Sequence, residues 1–306
     1  MTVSHALVTG GAGFIGSHLV TALRAQGSAV TVLDNLSVGR REQVPADVRF
    51  VHGDVRDDTA VRDALQGVDA VFHLAAQVTI RGSFDRFYED LDTNVMGTAC
   101  LVRAVDPTQV RWFTLASSMA VYADAPDGAP VSETHETRPI SPYGVGKLAA
   151  EGMARQVLGG RGVPFTALRY FNTFGPGQAH TPYVGVVTIF VSAMLAGRPL
   201  TIFGDGEQQR DFVHVRDIAA GTLATVGRTP GTYNLGTGKG LTLNRLVERL
   251  GRVLDVTPAA VHAPAQAGEL RCSVADIGAA RAMLGYAPTR SLETDLPEVV
   301  ADIASR

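Results

Sequence analysis

The sequence predicts an α/β protein in which a doubly wound parallel sheet is followed by a smaller mixed α/β lobe. Three observations predict it. Apolar runs of four to six residues alternate with segments of helical periodicity up to about position 170, the pattern of βαβ units. A glycine-rich turn, Gly10 to Gly16, joins the first apolar run to the first helical segment. Beyond Asn172 the alternation breaks into shorter elements rich in glycine and proline. At roughly 150 residues per packing unit, 306 residues leave room for two.

The first apolar run, 5–8, reads as a strand. After it Ile15, Leu19, Val20 and Leu23 fall on one helical face, and Gly27 ends that helix. Further strands are expected over 29–33, 48–51, 70–74, 111–115 and 165–169, with helices over 58–65, 90–104 and 142–158 between them. Six such strands suit a Rossmann-type sheet. Later helices are expected over 183–196, 243–254 and 276–284. The chain thus divides into a unit over 1–171 and a lobe over 172–306, with part of the C-terminal half expected to rejoin the main sheet.

Composition narrows the ligand. Hydrophobic residues, 45%, are at the globular norm, charged residues, 19%, fall below the usual ~25%, and 33 glycines exceed the usual ~7%, which fits tight turns and close backbone approaches. A formal net charge of -3 with no lysine or arginine block lacks the footprint of a nucleic-acid or anionic-membrane binder, so a small ligand is expected. Cys100 and Cys272 make no disulfide framework in a chain this long and fit a reducing compartment. The histidines include no i,i+4 pair, and no metal site is expected. The start, MTVSHALVTGGAGFIG, lacks the basic flank of a signal peptide, and the longest apolar stretch, 184–196, is shorter than the ~20 residues of a membrane helix. A cytoplasmic protein is expected.

In Gly10-Gly11-Ala12-Gly13-Phe14-Ile15-Gly16 the glycines, spaced G-x-x-G-x-x-G between strand and helix, let the backbone approach a pyrophosphate while the helix amides attract its charge. Eighteen residues after Gly16, at the end of the next strand, Asp34 can accept hydrogen bonds from ribose hydroxyls and repel a 2′-phosphate, favouring NAD over NADP. Arg40 and Arg41 act against that preference. Asp54 and Val55 end the third strand, where an adenine edge could lie or where an aspartate could simply cap a turn. At the other end of the unit, Tyr143 and Lys147 are four residues apart on an expected helix and share a face. An ammonium beside a phenol stabilises phenolate and draws its pKa from ~10 toward neutrality, making a proton acceptor. The preceding strand ends in Ala116-Ser117-Ser118, which puts a hydroxyl at the sheet's carboxyl edge opposite the tyrosine. With a dinucleotide loop in the same unit, the trio points to hydride chemistry on an alcohol.

At this point the chain resembles the extended short-chain dehydrogenase/reductases that act on nucleotide sugars, most closely the UDP-sugar 4-epimerases of the UDP-glucose/UDP-galactose type. The resemblance runs through TGGAGFIGSHL from Thr9, LDNLSVG from Leu33, HGDVRD from His52, HLAAQ from His73, ASSMAVYA from Ala116, SPYGVGK from Ser141, LRYFNTFGPGQ from Leu168 and IFGDGEQQRDFVHVRD from Ile202. It implies Ser118, Tyr143 and Lys147 as the catalytic trio. It implies NAD contacts from Gly10, Gly13, Phe14, Ile15, Gly16, Asp34, Asn35, Asp54, Val55, Leu74, Ala75, Ala76, Asn94 and Tyr170 beside Tyr143 and Lys147. For a nucleotide-sugar substrate it implies Gln77, Ser118, Tyr143, Asn172 and Arg210, the last clamping a diphosphate. By the same analogy the helices over 90–104 and 142–158 form a homodimer bundle.

Residues after Ser118 separate the reactions this scaffold supports. Family dehydratases carry an Asp-Glu pair where Met119 and Ala120 stand, and related decarboxylases carry glutamate at Ala120's position; neither residue here moves a proton. Members that epimerise beside a keto group place a cysteine next to the serine, and this chain has none there. Inversion at C4 through a transient 4-keto sugar needs only the trio and NAD. A GDP- or CDP-sugar oxidoreductase or epimerase is the alternative enzyme, and a dinucleotide-binding sensor the non-enzymatic one. Members commonly carry a second arginine in a P-x-R-x-G segment where this chain has Gln266, an uncharged phosphate contact. Ser273 aligns with a position filled by tyrosine in members that reject N-acetyl sugars, so it either opens the pocket to a 2-acetamido group or caps the helix expected near Asp276.

Overall fold

A computed structural model of the protein describes residues 2–125, 127–179, 185–266 and 269–305. The apolar runs form β1 (His5–Thr9), β2 (Ala29–Asp34), β3 (Arg49–His52), β4 (Ala70–His73), β5 (Trp112–Ser118) and β6 (Phe165–Tyr170). Between them lie α1 (Phe14–Ala25), α2 (Asp58–Ala64), α3 (Gly82–Asp85), α4 (Phe87–Leu91), α5 (Thr98–Ala104) and α6 (Pro142–Gly160). The second part adds β7 (Asn172–Phe174), α7 (Val186–Leu195), β8 (Leu200–Phe203), β9 (Gln209–His214), α8 (Val215–Leu223), β10 (Thr232–Leu235), β11 (Gly240–Thr242), α9 (Leu243–Leu254), β12 (Ala260–Ala263), β13 (Cys272–Ser273), α10 (Gly278–Leu284) and α11 (Leu292–Ala304).

Among the described residues seven strands form one parallel sheet in the order β10-β6-β5-β4-β1-β2-β3. Successive strand residues face opposite sides and both sides are covered. On one, Leu7, Leu33 and Phe113 pack with Val61, Leu101 and Leu158 of α2, α5 and α6; on the other, Val8, Val32 and Phe72 pack with Leu19, Val20 and Leu23 of α1. Each such fully buried leucine contributes about 1.5–3 kcal/mol. The second part builds a small sheet in which β9 pairs with β7, β11 and β13, and a two-stranded sheet of β8 and β12.

Four details depart from the sequence reading. The sheet has a seventh strand, β10, paired with β6 from Thr232↔Ala167 to Leu235↔Tyr170. Its polar Asn234 hid it: that side chain accepts from Tyr122 Oη at 2.7 Å and donates to Val131 O at 2.8 Å, holding loop to sheet. β5 continues to Ser118 because Ala116, Ser117 and Ser118 pair with Leu168, Arg169 and Tyr170. The helix expected over 90–104 is interrupted by a π-helical turn, Asp92–Gly97. α7 starts at Val186 and α10 at Gly278; the expected helical residues 183 and 184 lie outside the described residues.

His73, at the end of β4, is fully buried and ties three elements. Thr98 Oγ1 donates its proton to Asn94 O at 2.6 Å, so it accepts from His73 Nε2–H at 3.0 Å; His73 Nδ1 then accepts from Thr9 Oγ1 at 2.7 Å, and Thr9 Oγ1 accepts from Ala75 N–H at 3.2 Å. Every donor in this chain has an acceptor only if the ring is neutral. Burial, with Lys147 nearby, pushes its pKa down to about 3. The unfolded chain binds this proton near pH 6.5 and the folded one does not until about 3. Stability therefore falls as pH drops through that window, by about 1.4 kcal/mol per pH unit from this residue. His73→Gln should lack this component when urea unfolding is followed from pH 7 to pH 4; parallel pH dependences for the two proteins would contradict it.

Candidate active site

The strand order turns back between β1 and β4, so a crevice opens at their carboxyl ends. A cavity of about 390 Å³ occupies it. One wall is the loop from Gly10 to Gly16, with Phe14 and Ile15; another is Asp34, Asn35, Asp54 and Val55; the floor is Leu74, Ala75, Ala76 and Gln77. Gly10 has φ +70°, and a Cβ there would lie 2.7 Å from Ala75 N; a Cβ on Gly16 would lie 2.1 Å from Gly10 O. Only glycine allows this packing of loop on strand exit. α1 starts at Phe14 with Gly13 as its N-cap, which offers no side-chain cap and leaves the first amides to a ligand.

Asp34 is buried, and each of its oxygens takes one backbone donor: Oδ2 from Ala12 N at 2.9 Å and Oδ1 from Leu36 N at 2.8 Å. A second lone pair on each remains for ribose hydroxyls. Asp54 is engaged by Arg56 through the backbone at 2.9 Å and the guanidinium at 2.8 Å, and by Asn35 at 2.8 Å, which holds its pKa down at about 2. Arg40 stands on the cavity wall, whereas Arg41 turns onto the Phe50 ring at 4.8 Å. Bare loop, uncapped helix and carboxylate at the strand end together fit a dinucleotide.

At the far end α6 begins with Ser141 accepting from Gly144 N at 3.1 Å and Pro142 in its first turn. Tyr143, Lys147 and Glu151 follow at four-residue spacing, all buried. Lys147 Nζ donates to Ala116 O at 3.0 Å and lies 5.8 Å from the Tyr143 ring centre. Ser118 Oγ accepts from Ala120 N at 3.2 Å and stands near enough to the Tyr143 phenol to draw its pKa down. Burial dominates both titrating groups. It pushes Tyr143 up to about 12, partly offset by Ser118, and Lys147 down to about 8, partly offset by Asp90 and Glu151. The lowered phenol pKa expected from the Tyr-x-x-x-Lys spacing is thus outweighed by desolvation in the protein alone. Tyr170 bonds Thr222 at 2.7 Å and lines the same cavity.

A second cavity of about 320 Å³ meets the first at Val78, Asn172, Gly185 and Val186. Asn172 lines both cavities, and its Oδ1 is buried without a hydrogen-bond partner among the described residues. Met119 and Ala120 give this cavity apolar wall, and Arg210 also lines it, bonded to Glu269 at 3.2 Å. Arg81 reaches the same Glu269 at 3.7 Å and stacks on Phe203 at 4.6 Å. The acids on the described walls of both cavities are Asp34, Asp54 and Glu269, each already bonded.

The sequence profile of the NAD dependent epimerase/dehydratase family matches residues 6–236. The chain belongs to that family. A UDP-glucose 4-epimerase of Thermotoga maritima solved with UDP-glucose is 35% identical, with a TM-score of 0.94 over 98% of this chain and 99% of its own. The Thermus thermophilus UDP-glucose 4-epimerase, solved with NAD, is 35% identical, with a TM-score of 0.92 over 98% and 99%. A UDP-N-acetylglucosamine 4-epimerase of Methanobrevibacter ruminantium in complex with UDP-N-acetylmuramic acid is 33% identical, with a TM-score of 0.93 over 100% and 99%.

Against this family's pattern three expected residues stand off the cavity walls. Asn94 lies behind the floor: its amide bonds Gln77 N at 2.9 Å and Gln77 O at 3.0 Å, so it shapes the wall through the backbone. Gln266 is exposed and borders neither cavity. Ser273 sits in β13 opposite Arg210, buried, its hydroxyl unpartnered among the described residues; it lines neither cavity and does not cap α10. Parallel pairing of a two-residue strand onto β9 draws it inward. Arg81 and Glu269 are not among the site residues expected from sequence; the one signal is a lone arginine in the otherwise uncharged stretch 78–84 after HLAAQ. Since the loop tolerates no side chain at Gly16, Gly16→Ala should release the dinucleotide: denatured wild type should yield about one NAD per chain and the variant little. Equal yields would show that this approach does not build the cofactor site.

Proposed function

We propose that the protein is an NAD-dependent epimerase that inverts C4 of a nucleotide-diphosphate hexose of the UDP-glucose/UDP-galactose type through a transient 4-keto sugar. The observation that carries this is the junction of the two cavities. Ser118, Tyr143 and Lys147 line the first cavity, Met119 and Ala120 next to Ser118 line the second, and no uncommitted carboxylate stands on the described walls to drive an elimination. NAD, when bound, takes up and returns the hydride and brings a second positive charge.

Tyr143 accepts the C4 hydroxyl proton and gives it back. Its phenolate forms only against positive charge, because burial alone holds it near 12; the Lys147 ammonium is the chain's own supply. Ser118 bonds the same sugar oxygen. Arg210 and Arg81, side by side on Glu269, grip the diphosphate by guanidinium forks, so that the charge absent at Gln266 is made good from another element. Asn172 Oδ1 takes a donor from the substrate. Anchoring at the diphosphate leaves the keto sugar free to turn and present its other face.

The test is incubation with UDP-glucose, UDP-galactose, UDP-N-acetylglucosamine and the matching GDP- and CDP-hexoses, without added reductant, followed by product separation. UDP-glucose and UDP-galactose should interconvert. Tyr143→Phe should lower turnover at least about 100-fold with NAD retained, whereas Lys147→Ala should lose turnover and NAD together. Dependence on stoichiometric NADPH, or near-normal turnover in Tyr143→Phe, would overturn the reading.

The same reading includes a homodimer. Phe87, Tyr88, Met96 and Val145 are exposed on α4, the π-helical turn and α6, apolar side chains that a second copy would cover. Sedimentation should show a dimer that Met96→Glu shifts toward monomer; a monomeric wild type would exclude it.

A further inference from the structure

The charge inventory around α6 leaves one buried carboxylate without a role. Asp90, on α4, is 2% exposed. Its Oδ1 accepts from Asn94 Nδ2 at 3.1 Å, and its Oδ2, also buried, has no hydrogen-bond partner among the described residues. It faces α6, where a Cβ on Gly146 would lie 3.5 Å from Oδ1. It borders neither cavity, so it touches neither substrate nor cofactor.

The next residue after Gly146 is Lys147, 5% exposed, whose ammonium is bonded to a neutral carbonyl. The charged and titratable groups facing that ammonium are few. Glu151, on the same helix, is committed: Arg169 of β6 holds both its oxygens, at 3.0 and 2.8 Å, and Ser117 donates to one of them. His73 of β4 is neutral, and Tyr143 of α6 is a neutral phenol in the resting protein. Asp90 remains. Asp90 acts on that ammonium across the packing of α4 on α6, beyond ion-pair distance; burial pushes its own pKa up, with Asn94 and Lys147 restraining it, and a carboxylate and an ammonium that are each costly in a dry interior offset one another's cost.

We propose that Asp90 is the counter-charge of Lys147: a positioning residue, clamped from behind by Asn94, that holds the ammonium in service of Tyr143. This rests on the proton-transfer roles given above to Tyr143 and Lys147. Asn94 thereby has two tasks, fixing the Gln77 backbone at the cavity floor and fixing the carboxylate behind α6. The π-helical turn that begins at Asp92 carries Asn94 into reach of both.

Asp90→Asn keeps the shape and removes the charge. Without the carboxylate Lys147 loses its proton at lower pH, and the phenolate of Tyr143 loses a repulsive neighbour, so both limbs of the pH dependence of kcat should move to lower pH, by about one unit. At pH 8 kcat should fall about fivefold, with KM and bound dinucleotide unchanged. A kcat lowered equally at every pH would mark a merely structural residue, and an unchanged profile would mark a carboxyl that is already neutral; either result overturns the proposal. Thermal midpoints give an arm that needs no turnover. Lys147→Met strands the carboxylate, so adding Asp90→Asn to it should raise the midpoint; no rise would overturn the pairing. Near-normal turnover in Tyr143→Phe would sink the catalytic reading while leaving this second arm to decide the pairing by itself.

Discussion

Everything at the ligand end of this molecule depends on two backbones lying closer than side chains would permit. The loop after β1 rests on the segment leaving β4, glycine against Ala75, and the neutral His73 fixes that contact from beneath by joining Thr9 of one strand to Thr98 of a covering helix. The contact has no adjustable part. Each ring nitrogen has one partner and each hydroxyl two, so the cofactor wall, the cavity floor and α5 are set relative to one another before any ligand arrives.

The second organising fact is a low-dielectric interior holding several charges along one helix. α6 carries phenol, ammonium and carboxylate at successive turns, and each meets a different answer: Ser118 for the phenol, a carbonyl and Asp90 for the ammonium, Arg169 for the carboxylate. Desolvation pushes the phenol and the ammonium toward neutrality, and their neighbours restrain it. Reactivity at Tyr143 is accordingly a property of the assembled surroundings rather than of the four-residue spacing.

The parallel sheet and its crossovers were legible because buried strands are near-continuous apolar runs and the helices keep a 3.6-residue period. β10 was not, because Asn234 occupies its centre for hydrogen bonds made by chain more than 90 residues away in sequence, to Tyr122 and Val131. The glycine loop, Asp34, Ser118, Tyr143 and Lys147 stand together on one cavity because local order on a known scaffold fixes where strand ends and helix starts point. Pairings across the fold were invisible for the opposite reason. Arg81 with Glu269, and Asn94 behind the floor rather than in it, are set by which elements pack together, and spacing along the chain says nothing of that. Ser273 shows the same limit: alignment can place a residue beside a pocket while a strand pairing turns it away.

The position of β10 bears on how the molecule is made. β6 acquires its outer neighbour only after β7, α7, β8, β9 and α8 have been synthesised, so the newborn sheet waits with the whole of Phe165–Tyr170 unpaired along one side. Such an edge is a template for the wrong partner, and closing it across so long an intervening stretch is slow relative to the local steps around it. The small lobe is consequently no appendage that evolution could trade freely between scaffolds. Its removal would take away the strand that seals the sheet, and any exchange of lobes has to carry that strand, and its fit to β6, along with it.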